Sequence, residues 1–137
     1  MIEPLLGEAH VEFIGEINEA QKPAFLSGAK ALLFPIDWPE PFGLVMIEAM
    51  ACGTPVVAFN RGSVPEVIED GVTGFIVEDV QGAVGALHRI DSLSRDAIRA
   101  RFDTRFSSKA MARRYVETYE SLCTAAKRPT LRQVAGA

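Results

Sequence analysis

Glu40-Pro41-Phe42-Gly43-Leu44-Val45-Met46-Ile47-Glu48-Ala49-Met50-Ala51-Cys52-Gly53-Thr54-Pro55-Val56-Val57-Ala58-Phe59 reads as a loop, a helix and a buried strand in succession. From Gly43 to Cys52 every side chain except that of Glu48 is apolar or absent, so the helix is expected to be buried on all faces against a sheet. Gly53 with Pro55 two residues on is a helix stop signal. A carboxylate without a partner in such surroundings is costly, so Glu48 needs either protein donors or a polar ligand. The ligand is the preferred reading. Glu40 lies just upstream, and the first helical turn, at Phe42, Gly43 and Leu44, offers free N–H groups and the positive end of a dipole, a good anion site.

On either side of this stretch, short apolar runs alternate with helical patterns, the sequence form of repeated strand–helix units and a parallel sheet. Strands are expected at Val11 to Ile14, Ala31 to Phe34, Val56 to Phe59 and Phe75 to Val77. Asn18 can cap a helix through Phe25 and Leu26. Asn60-Arg61-Gly62 makes a turn, after which Ser63 and Glu66 have capping-box spacing for a short helix to about Glu69. Further helices are expected from about Val80 to Ile90, Ser94 to Arg101 and Ser108 to Ala126. In the last, Met111, Tyr115, Tyr119 and Leu122 form one packing stripe. The expected fold is an α/β, Rossmann-like domain over residues 1–126, with at least four parallel strands and helices on both faces. Residues 127–137 read as a disordered tail.

In such a sheet, ligands gather outside the carboxyl ends of the strands. The loop Pro35 to Glu40 and the turn Asn60 to Gly62 both leave carboxyl ends, so they should face the same crevice.

With 137 residues, 48% of them apolar, the chain suffices for one domain with a real core. A net charge of −4 argues against nucleic acid as a partner. Arg89, Arg95, Arg99, Arg101, Arg105, Lys109, Arg113 and Arg114 fall at helical spacings, which reads as a solvated helix face rather than a phosphate site. Two distant cysteines, Cys52 and Cys123, give neither a disulfide framework nor metal-ligand spacing, so no metal is expected and a reducing, cytoplasmic compartment fits. No stretch approaches the length of a membrane span, which leaves peripheral contact with a membrane surface open.

A sugar-nucleotide donor presents ribose hydroxyls, a diphosphate and sugar hydroxyls, and Glu40 to Glu48 offers something for each. Both carboxylates can approach a ligand lying across the helix N-terminus, a carboxylate accepts well from a vicinal diol, and Gly43 permits close approach to backbone. Glu40 to Glu48 resembles the E-x7-E signature of the retaining glycosyltransferases of family 4, also called glycosyl transferases group 1, which have two facing Rossmann-like domains. The resemblance continues through Glu48 to Ala58, Gly62 to Ile68 and Asp70 to Val77. Upstream, Val11 to Gly15 and Ala31 to Pro35 resemble the two preceding strands, and in all it covers about Val11 to Leu122.

The resemblance implies roles for particular residues. Glu40, on the catalytic side of the pair, would bond hydroxyls of the donor sugar, and Glu48 would hold the ribose. Phe42, Gly43 and Leu44 would present backbone N–H groups to the sugar and the diphosphate. No side-chain nucleophile and no cofactor are implied; charge stabilisation on the diphosphate would be the main catalytic effect. The donor would be a UDP-, GDP- or ADP-sugar. In the family a basic Arg/Lys pair comes from a segment upstream of the strand placed at Val11, and this segment and the N-terminal acceptor domain are expected to lie outside this sequence. The expectation is a donor-side part of a hexosyltransferase, inactive alone, in which Arg61 is a candidate phosphate contact. The alternatives are a non-catalytic module that docks a partner chain, and half of a nucleotide-sugar epimerase.

Blander readings apply to other residues. Phe42 is expected to pack its ring into the core, leaving only its backbone for a ligand. Trp38 reads as a loop anchor on Pro39 before a sugar platform, Asp37 as a turn former, and Glu66 as the partner of Ser63 in the capping box. His10 and His88 do not read as general bases, and Cys52 reads as a small core residue.

Overall fold

The computed structural model describes residues 5–126. Three parallel strands form one sheet in the order β1-β2-β3: β1 is Leu32–Phe34, β2 is Val56–Phe59 and β3 is Gly74–Val77. Leu32 stands beside Val56 and Val56 beside Gly74, so all three strands run in step. The intervening helices are α1 (Lys22–Gly28) before β1, α2 (Leu44–Ala51) between β1 and β2, and α3 (Val64–Val67) between β2 and β3. After β3 come α4 (Val80–Arg89), a 3-10 turn at Ile90–Ser92, α5 (Arg95–Arg105) and α6 (Ser108–Ala126).

The period of two along β2 assigns its side chains to two cores. Val56 and Ala58 pack with Leu26, Phe34, Met46, Met50, Val64, Val67 and Ile98, under α1, α2, α3 and α5. Val57 faces the other way, with Phe75, Ala86 and Ile90, under α4. Helices therefore cover both faces of a Rossmann-like parallel sheet, as expected.

The fourth strand does not form. Val11 to Ile14 is irregular, and Phe13 is 77% exposed. An apolar run becomes a strand only when a neighbour takes its backbone groups, and among the described residues none lies alongside. The capping box at Ser63 and Glu66 is absent too. Ser63 has helical angles, φ −77° and ψ −7°, rather than the extended backbone of a cap, so its hydroxyl makes no bond in the described structure and its carbonyl accepts from Glu66 and Val67 N–H instead. Elsewhere local chemistry sets the helix starts: Asn18 Oδ1 accepts from Ala20 and Gln21 N–H ahead of α1, in keeping with its reading as a capping residue, while Asp79 caps α4 and Ser94 caps α5, roles the sequence reading did not assign.

The arginines of α5 lie largely at the surface, as expected, but three of them do more than face water. Arg95 donates to the carbonyls of Ser27 and Ala29 at the end of α1, Arg99 to Ala51 at the end of α2, and Arg105 to Glu66 and Val67 at the end of α3. Each places a fixed positive charge where a helix leaves carbonyls unpaired and its dipole is negative. One helix thus fastens the ends of three others. The stripe on α6 is also a correction: Met111, Tyr115, Tyr119 and Leu122 are each more than half exposed. The expected tail, 127–137, lies outside the described residues.

Candidate functional site

The loop after β1 leads to α2 through Gly43, whose φ of 70° lies in the left-handed region. A Cβ there would stand 2.6 Å from the Met46 side-chain methyl and 3.2 Å from the Phe34 ring, so only glycine suits both the backbone and the space. This sharp entry brings Glu40 back over the helix start, where its Oε1 accepts from the Gly43 N–H at 3.2 Å. The Gly43 donor is therefore committed within the chain. The N–H groups of Phe42, Leu44 and Val45 have no hydrogen-bond partner among the described residues. They form the open positive end of α2.

One turn further on, Glu48 is not the isolated anion in apolar surroundings that the sequence suggested. Helix α2 buries Met46, Ala49 and Met50, leaves Leu44 64% exposed, and presents Glu48 on a half-buried face with its side chain 34% exposed. Lys22, from the first turn of α1, donates to Glu48 Oε1 at 3.1 Å and to Glu19 at 2.6 Å. The bond to Glu19, then that to Glu48, hold the lysine pKa above its ordinary value. The second oxygen of Glu48 has no partner among the described residues. Helical periodicity could not show this pairing, because Lys22 and Glu48 are 26 positions apart and meet only when α1 packs on α2.

The two loops that leave carboxyl ends do meet. Ser63 N–H donates to the Glu40 carbonyl at 3.0 Å, and Gly62, at φ 52°, lies against the Pro39 and Glu40 backbone. Arg61 spans the junction, donating to Asp37 at 2.9 Å and to Glu78 at 3.2 Å. Both bonds, Asp37 foremost, raise the arginine pKa. Hydrogen bonds from Asn60 and then Arg61 lower that of Glu78. The charge of Arg61, offered by sequence as a phosphate contact, is thus shared between two carboxylates.

Phe42 departs from its expected place in the core. Its side chain is 41% exposed and, with Leu44 and Ile47, lines one wall of a cleft of about 490 Å³. Phe106, Met111 and Tyr115 line the other. Trp38 is 54% exposed on the loop above. His10 and His88 are exposed and lie apart from these contacts, and Cys52 is half-buried at the end of α2.

The family model described as "Glycosyl transferases group 1" matches residues 1–112. The chain belongs to this family. Among relatives of glycosyl transferases group 1, a phosphatidyl-myo-inositol mannosyltransferase from Mycobacterium leprae is 31% identical over 122 residues, covering 84% of this chain and 33% of that protein. Among solved structures, Anabaena HepE in complex with UDP and glucose superposes with a TM-score of 0.72 at 28% identity, over 88% of this chain and 34% of the other. A sucrose-phosphate synthase from Thermosynechococcus elongatus gives a TM-score of 0.72 at 31% identity, over 90% and 34%. The chain spans about a third of the length of these proteins.

Proposed function

We propose that this chain forms the donor nucleotide-sugar site of a retaining hexosyltransferase, in which transfer requires an acceptor-binding part supplied from outside this sequence. The observation that carries the reading is the pair of carboxylates bracketing the open N-terminus of α2: Glu40 over its start and Glu48 one turn in. The free oxygen of Glu48 accepts from a ribose hydroxyl. The N–H groups of Phe42, Leu44 and Val45 face the diphosphate and the sugar, and Glu40 keeps one oxygen for a sugar hydroxyl while the other fixes Gly43. As the sugar–phosphate bond breaks, negative charge gathers on the leaving diphosphate, where fixed backbone donors and a helix dipole stabilise it without reorganising. Support comes from membership of the glycosyltransferase family and from the UDP held by a neighbour of the same fold.

Isothermal titration of the chain with UDP, GDP and ADP tests this reading. One of the three is expected to bind, and Glu48→Ala is expected to abolish the heat. Silence with all three, from a folded sample, overturns it.

The exposed stripe Met111, Tyr115, Tyr119 and Leu122 on α6 favours a second reading, a glycosyltransferase-like module that docks a partner chain. That reading predicts no heat with any nucleotide.

A further inference from the structure

We propose that Lys22 is a positioning residue for Glu48, and that its ammonium also donates to the same diol that the Glu48 carboxylate accepts from. This rests on the donor-site reading above.

A protonated lysine has three N–H donors. Two are engaged, with Glu19 Oε1 at 2.6 Å and Glu48 Oε1 at 3.1 Å, and the third has no partner among the described residues. The carboxylate likewise has one oxygen engaged and one free. A free donor and a free acceptor therefore stand side by side on a half-exposed surface. A hydroxyl group is both donor and acceptor, so a vicinal diol can satisfy the two at once: one hydroxyl hydrogen on Glu48 Oε2 and one hydroxyl oxygen on the lysine N–H. A carboxylate alone offers only acceptors and lacks the second half of that recognition.

The placement of Lys22 points the same way. It occupies the first turn of α1, where the helix dipole favours an acid, and no acid stands in that turn. A residue set against its local preference is expected where a longer-range contact or a function requires it. The pair is part-buried, with its side chains 28% and 34% exposed, and an ion pair still within reach of water contributes only modestly to stability. The pair does restrict the Glu48 side chain before any ligand arrives, which removes part of the ordering cost of binding.

The test compares affinities for the ribonucleoside diphosphate that the wild-type chain binds and for its 2′,3′-dideoxy counterpart, with thermal melts alongside. Lys22→Met is expected to weaken the ribonucleotide about tenfold, the scale of one charge-assisted hydrogen bond, and to leave the dideoxy compound unchanged. Lys22→Arg should recover most of the loss, and Lys30→Met, which removes the same charge from an exposed pair with Asp91, should change neither ligand. The inference is overturned if Lys22→Met leaves ribonucleotide affinity intact. It is equally overturned if both ligands weaken alike, since that marks attraction to the diphosphate and not diol recognition. A wild-type chain that binds no nucleotide is a separate result, visible before any variant is made, and overturns the donor-site reading and this inference together.

Discussion

Gly62 lies so close over Glu40 that a Cβ on the glycine would stand 2.6 Å from the Glu40 nitrogen and 2.9 Å from the Pro39 carbonyl carbon. The turn after β2 thus sets the height of the loop that carries the first carboxylate. Gly62→Ala meets two penalties: a left-handed backbone at φ 52°, and overlap with main-chain atoms that cannot turn aside as a side chain could. The expected loss is about 2–4 kcal/mol of unfolding free energy, read from urea titration. A loss below about 0.5 kcal/mol, the range of ordinary surface changes, contradicts the contact.

Glu40 has a structural task that can be separated from any ligand. Its bond to the Gly43 N–H places an acid at the positive end of α2. Glu40→Ala should cost about 1 kcal/mol, seen as a melting temperature lower by a few degrees without nucleotide. Glu40→Gln keeps an acceptor oxygen and should retain most of that stability. Equal melting of all three proteins would show that the bond does not form in solution.

Much of this arrangement was legible in the sequence because its causes are local. The apolar run Val56–Phe59, the glycine before Leu44 and the helical patterns that begin near Val80 and Ser94 each act within a few positions. What stayed hidden depends on packing between distant segments. The Lys22 partner of Glu48 and the arginines that end three helices bridge separations of 26 to 68 positions, so no periodicity announces them. Val11 to Ile14 has the pattern of a strand, yet a strand is a property of two segments and its partner could not be read from one. The identity of the α2 face was misread for a related reason: a run of apolar side chains does not say which of them meet a neighbour, and Phe42 and Leu44 turn outward into the cleft with α6.

The turn at Arg61 predicts a pH response. Glu78 has a folded-state pKa below the ordinary carboxylate value, because Asn60 and then Arg61 bond its ionised form. A depressed folded pKa contributes stability that is present above the unfolded-state pKa and lost as pH falls through the folded one. The Glu78 side-chain carboxyl, followed by NMR, should therefore titrate at lower pH than an unpaired glutamate. Arg61→Ala should move its midpoint back up part of the way, the Asn60 bond remaining. An unchanged midpoint in the variant would sever Arg61 from Glu78.

Arg95 should matter more to stability than an exposed arginine usually does. Its Nη1 donates to the Ala29 carbonyl at 2.9 Å, and its Nη2 donates to the Ser27 carbonyl at 2.7 Å and to the Thr54 hydroxyl at 2.8 Å. Thr54 is fully buried and spends its own proton on the Leu26 carbonyl at 2.7 Å, so the end of α1, the turn after α2 and the start of α5 share one network. Arg95→Met removes donors from all three acceptors and leaves the apolar stem, isolating the polar contribution; the expected cost is about 2 kcal/mol in urea unfolding. Arg95→Lys should lose most of the same amount, because a single ammonium cannot reproduce the planar fork that reaches three acceptors at once. Amide exchange supplies the local check: protection at Ala29 and through the last turn of α1 should fall further than in the strands. If exchange instead rises uniformly, or the lysine variant matches wild type, the guanidinium is a surface charge and not the fastening described.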